Sequence, residues 1–209
     1  MADARIVIAG LALVLGLSAC APAQMSSEPL GDFRLGHNIV IADNIQAGPF
    51  TRELVEEEIE VAMQTAIQQR LGRFDGDGLY HIGVYVGAGV LALPGVPLVY
   101  TPQSNMVIEV NVFDNATRQR LNAEPHRMVI GEGFDKTVPV LGSGLTRARD
   151  EQLANISANA ARQIEDWLRE NETWFTPKPG QVRVPFGDEE RTATEDAARS
   201  AAETLRAGE

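Results

Sequence analysis

A single cysteine, Cys20, is the feature that most constrains what this chain can fold into. It follows directly on an apolar run at the amino terminus, and no second thiol is present with which it could form an internal disulfide. Small secreted domains often depend on disulfides for their stability. A domain built from this chain must instead be stabilised by a packed hydrophobic core, for which a length of 209 residues suffices.

The apolar run covers residues 6–17, IVIAGLALVLGL, which has the length of the apolar part of an export signal. It is too short to span a membrane comfortably. The run ends in Leu17-Ser18-Ala19-Cys20, and these residues resemble the lipobox of bacterial lipoproteins, in which small residues precede a cysteine that is diacylated before cleavage. The resemblance implies a signal peptide over residues 1–19 and a lipid on Cys20.

Acylation would anchor the mature protein in a membrane without a spanning segment. The residue after the cysteine is Ala21 and not an aspartate. By resemblance to lipoproteins of Gram-negative bacteria, this implies that the protein is sorted to the inner leaflet of the outer membrane and faces the periplasm. Residues 20–31 are small, polar and proline-bearing, a composition typical of a flexible tether.

Periodicity predicts an α+β domain over residues 32–176. Alternating apolar residues indicate strands at 79–86 and 106–113, and the apolar runs Ile39-Val40-Ile41 and Met128-Val129-Ile130 indicate strands at 33–41 and 127–133. Helical spacing indicates helices at 51–71 and 146–170. We therefore expect two layers: an antiparallel sheet of about four strands, with two helices on one face. Residues 177–209 read as a charged, mobile tail, in which 188–207 have the composition of a polar, alanine-rich helix.

The search for catalytic or ligand-binding motifs gives little. His37, His81 and His126 are the only histidines, and none has the spacing of a metal-ligand pair, so we predict no metal and no cofactor. An enzyme would require His81, His126 and an acid such as Glu132 to converge in the fold, and we predict a non-catalytic protein. The net charge of −11, without a basic cluster, also argues against nucleic-acid binding.

Residues 87–102, GAGVLALPGVPLVYTP, carry no charge. If the segment is an exposed loop, it forms an apolar contact surface for a partner. If residues 96–100 form another buried strand after a turn at Pro94-Gly95, nothing is exposed. The candidate partner-contact residues are Leu91, Leu93, Val96, Leu98 and Tyr100.

The lipobox followed by this order of elements, with VIEVNVFDNATRQRL as the hairpin, resembles uncharacterised small lipoproteins of Gram-negative envelopes over residues 17–170. The resemblance implies a membrane-anchored, non-catalytic accessory that binds an envelope protein or assists assembly. The alternative is a periplasm-facing lipoprotein that binds a small apolar ligand or lipid between sheet and helices. Only Cys20 is carried over as a functional residue, and the oligomeric state stays open.

Overall fold

The computed structural model describes residues 28–93, 103–131 and 148–207, so the predicted signal peptide and Cys20 lie outside the described residues. Within these ranges the elements follow one another along the chain as β1 (Phe33–Ile41), β2 (Gln46–Ala47), α1 (Glu56–Leu71), β3 (Gly78–Val90), β4 (Asn105–Asp114), β5 (Gln119–Arg120), β6 (His126–Gly131), α2 (Arg149–Glu170) and α3 (Asp188–Ala207). A short 3-10 helix, Glu172–Phe175, follows α2.

The strands form one mixed sheet in the order β1-β3-β4-β5, in which β2 also pairs with β3 and β6 with β4. The expected α+β class is confirmed, but the all-antiparallel sheet is wrong, because β1 and β2 run parallel to β3. The connection through α1 returns the chain to the end at which β1 began, as parallel pairing requires. The described part holds six strands, two of them only two residues long, and three helices instead of the expected two.

One face of the sheet and the two helices α1 and α2 enclose the core. Alternate residues of β3, from Tyr80 to Val86, are buried, and their register partners on β4 lie on the same face. The helices cover this face with buried residues at helical spacing, which are Ile59, Met63 and Ile67 of α1 and Ile156, Ala160 and Ile164 of α2. The packed core thus provides the stability that no disulfide supplies.

The C-terminal segment lies against the first strand. Residues 38 and 42 direct backbone groups away from β3: the Asn38 carbonyl accepts a bond from Gln64 of α1 at 2.7 Å, and the Ala42 N–H donates to Glu60 at 2.9 Å. The Glu195 carboxylate of α3 accepts the Asn38 N–H. Side chains of α1 and α3 therefore satisfy the outer backbone groups of β1 where a further strand would otherwise pair.

A buried carboxylate links both core helices to the start of the domain. Glu165 of α2 is about 1% exposed and lies 2.8 Å from each of Arg70, Arg73 and Arg169. Arg169 also donates to the backbone carbonyls of Glu28 and Pro29, at 3.0 and 3.4 Å. A carboxylate in such a place is stable only because several guanidinium groups surround it.

We expect Glu165→Gln to lower the free energy of unfolding by about 2–3 kcal/mol, because three partly buried guanidinium groups lose their counter-charge. The neighbouring Asp166, which is 54% exposed and pairs only with Arg162 one turn away, provides the matched control. Asp166→Asn should cost less than about 0.5 kcal/mol. Chemical denaturation of the three proteins measures both values, and equal losses would contradict the assigned role of Glu165.

Candidate interaction surface

The face of the sheet turned away from α1 and α2 carries apolar side chains that remain accessible. Val129 of β6 is 67% exposed, Tyr85 of β3 41% and Phe113 of β4 37%. Val107 of β4 is half-buried and is the register partner of both Ala88 and Val129. We call Tyr85, Val107, Phe113 and Val129 the outer patch.

Two glycines of β3 make room for the aromatic rings of the outer patch. A methyl group added at Gly83 would lie 3.8 Å from the Phe113 ring, and one at Gly87 would lie 3.2 Å from the Tyr85 ring. Each ring therefore leans over a position that has no side chain. The backbone at each glycine therefore packs against one side of the ring, and the other side of the ring remains accessible.

Charged and polar residues lie among these apolar side chains. Glu109 of β4 is the register partner of both Tyr85 and Arg127, so opposite charges face one another across β4 and β6 at the same level as the tyrosine. Asn111 follows on the same face, beside Gly83. The surface combines both charge signs with aromatic and aliphatic groups, in contrast to the strongly acidic chain as a whole.

Two of the three histidines meet at one end of this face. The rings of His37 and His81 stack with centroids 4.7 Å apart, and Phe186 packs edge-on against His37 at 4.9 Å. The backbone N–H of His37 donates to the ring nitrogen Nδ1 of His81 at 2.8 Å. In a neutral His81 ring the proton is then on Nε2, which lies 3.1 Å from the Asn115 side-chain oxygen. Burial and the neighbouring His81 lower the pKa of His37. The two rings and Phe186 thus pack together where the C-terminal segment meets β1 and β3.

His81 and His126, which an enzyme would require to converge, lie apart in this fold. His126 is the register partner of Val110, whose side chain is buried, and its ring stacks on Trp167 of α2 at 4.3 Å. His81 alternates with the buried Tyr80 and Ile82 and faces the other side. The sheet therefore separates the two histidines, and Glu132 lies outside the described residues.

Neither a metal cluster nor a spanning helix is found in the described part of the chain. Across residues 28–93, 103–131 and 148–207, no three His, Cys, Asp or Glu side chains are arranged to hold a metal ion. No helix in the same ranges is both long and apolar enough to cross a membrane.

The structure separates the candidate contact residues of the uncharged segment. Strand β3 continues to Val90, and Leu91 after it is fully buried, with its N–H bonded to the Thr51 hydroxyl at 2.8 Å. Leu93 is 36% exposed. Val96, Leu98 and Tyr100 lie outside the described residues. Among the described members, Leu93 alone is accessible to a partner.

The sequence analysis missed the outer patch, although a signal for it exists. In an amphipathic strand, the residues that face the core are apolar and the alternate residues between them are expected to be polar. Tyr85, Val107 and Phe113 break this rule, because each is apolar although its side chain faces away from the core. Apolar residues on both sides of a strand indicate a further contact surface.

Leu91→Asp should lower the free energy of unfolding by about 4 kcal/mol or more, because it places a carboxylate without a partner in the core. Leu93→Asp should cost less than about 1 kcal/mol, since the side chain reaches solvent. Urea denaturation of both variants measures the difference. Equal destabilisation would show that Leu93 is packed as tightly as Leu91.

Comparison with known proteins assigns no family. No protein-family model matches the chain, and no curated protein matches it. Similar solved structures include a predicted lipoprotein from Caulobacter crescentus CB15 (14% identity, TM-score 0.40, covering 68% of this chain and 93% of that one) and a DUF330 protein from Xanthomonas campestris (10%, 0.37, 68% and 92%). A hypothetical protein from Chlamydia trachomatis is similar at 7% identity and a TM-score of 0.33, covering 68% and 97%. Because all three TM-scores are below 0.5, we derive no function from them.

Proposed function

We propose that this chain is a lipid-anchored envelope protein that binds another envelope protein through the outer patch and acts as a non-catalytic accessory. The observation that carries the proposal is the exposure of Tyr85, Phe113 and Val129 on the sheet face opposite the helices. Accessible apolar groups gathered on one face are typical of contact sites in soluble domains.

The chemistry of the outer patch favours a protein over a lipid surface as its partner. Tyrosine, phenylalanine and arginine are enriched in protein interfaces, where apolar contacts are surrounded by polar ones. Glu109 and Arg127 face one another beside Tyr85 and would have to lose their hydration in a bilayer. A partner with complementary charges can pair with both and also cover the aromatic rings.

The proposed location rests on the sequence at the amino terminus. The lipobox residues Leu17 to Cys20 support acylation, and Ala21 supports sorting to the inner leaflet of the outer membrane. Stable anchoring requires more than one acyl chain, and a diacylated cysteine supplies two. The folded domain would then face the periplasm.

Val129→Asp should weaken partner binding by about tenfold or more, because a carboxylate without a counter-charge would be buried in the interface. Val61 on the solvent side of α1 is 42% exposed and provides a matched control for the same substitution. We would place a photo-crosslinking residue at Leu93, identify its adduct in intact cells, and then compare the affinity of both variants for that protein. Equal affinity of Val129→Asp and Val61→Asp would refute the outer patch as the binding site.

Cys20→Ala should abolish the gain in mass from the acyl chains and move the protein out of the outer-membrane fraction. The reason is that the thiol is the acceptor of the lipid, and the described helices cannot replace the anchor. Intact mass and membrane fractionation of both proteins in a Gram-negative host measure these changes. An unchanged mass and location would refute the anchor while leaving binding by the outer patch to be judged separately.

A further inference from the structure

We propose that the end of the domain at which the chain enters from Cys20 faces the bilayer, and that Val182 and Val184 contact the lipid headgroup region there. The proposal rests on the acylation of Cys20 proposed above. We call this the tether end; it comprises residues 28–32 and the segments packed around them.

The chain is fixed to the domain from residue 28 onwards, so the last four residues of the predicted tether, 28–31, pack against it. Arg169 holds the carbonyl of Glu28, the Gly31 N–H donates to Glu172 at 3.0 Å, and the Asp32 N–H donates to the Phe175 carbonyl at 2.7 Å. Eight peptide units join residue 20 to residue 28 and can extend at most about 29 Å in any conformation. The tether end therefore stays within this distance of the acylated residue.

Two exposed valines lie beside the fixed start of the chain. The Gln181 side chain donates to Asp32 at 2.7 Å, and Arg34 donates to the Val184 carbonyl at 2.5 Å. Arg183, between the valines, pairs with Asp75 and Asp77. The backbone and the arginine are thus held by the domain, while Val182 and Val184 remain 79% and 43% exposed. Exposed apolar side chains held beside a lipid anchor suit shallow contact with headgroups.

The charges of the two ends favour the same orientation. At the tether end, Arg70, Arg73 and Arg169 surround Glu165, and Arg183 pairs with both Asp75 and Asp77, so these carboxylates are compensated by arginines. The first turn of α1 lies at the other end, where Glu60 bonds the residue that follows β1, and it carries Glu56, Glu57 and Glu58. The 16-residue helix holds these ends about 24 Å apart. An anionic leaflet repels the acidic end more strongly than the tether end.

This orientation points part of the outer patch away from the membrane. Val107 of β4 pairs with both Ala88 of β3 and Val129 of β6, so Val129 lies at the same height along the strands as Ala88. Leu79 lies near the tether end of β3, where it pairs with Arg34. The nine steps along the strand from Leu79 to Ala88 span about 30 Å. Val129 and Val182 are therefore well separated along the proposed membrane normal, and both are valines with large exposed fractions.

This pair of valines allows a matched experiment on the full-length, lipidated protein. Acylation consumes the thiol of Cys20, so Val182→Cys or Val129→Cys introduces the one free thiol for a fluorophore. Each labelled protein is reconstituted into vesicles of phosphatidylethanolamine and phosphatidylglycerol that contain a headgroup nitroxide lipid. We expect the label at residue 182 to be quenched several-fold more strongly than the label at 129. A long glycine-serine insertion after residue 21 should reduce the difference.

Intact mass separates the two ways in which the proposal can fail. A lipidated protein whose label at residue 129 is quenched as strongly as the one at 182 overturns the orientation and leaves the proposed anchor and partner surface standing. A protein without acyl mass overturns the anchor, and the orientation with it.

Discussion

The parallel pairing of β1 with β3 is the arrangement on which the rest of this structure depends. It requires the chain to return along α1, which covers the core face and brings Arg70 and Arg73 next to Glu165 of α2. It also places the starts of β1 and β3 at the same end, where Phe33, Tyr80 and Phe175 pack together with ring centroids 4.9–5.6 Å apart. The tether end therefore combines this aromatic cluster with the ion pairs of Glu165.

The sequence predicted the helices and strands well where one periodicity dominates. The strands predicted at 79–86 and 106–113 lie within β3 and β4, and the helix predicted at 146–170 is α2 with a later start, because in these elements the apolar residues that face the core recur regularly. The direction of pairing was beyond such reasoning, since the alternation within β1 is the same beside a parallel or an antiparallel neighbour. Only the packing of α1 across the sheet decides it.

The candidate surface could be predicted less well than the fold, for a related reason. Tyr85 is apolar in either environment, and its exposure depends on whether another layer covers that face, which is a property of distant segments. His37 and His81 are 44 residues apart along the chain, and their stacking follows from the β1–β3 register. Leu91 belonged to an uncharged run for which both exposure and burial were open, and it is buried next to the end of β3.

The proposed lipid anchor would also change the binding energy that the outer patch has to supply. A stable complex between two freely diffusing proteins commonly buries about 800 Å² on each partner. Confinement of both partners to one membrane raises their effective concentration, so a smaller surface gives the same occupancy. A short tether would restrict the rotations in which the patch can meet a partner, and the proposed orientation of the tether end would restrict them further. The mixture of Tyr85, Phe113 and Val129 with Glu109 and Arg127 would then provide selectivity, because a wrong partner would leave the charged pair buried and uncompensated.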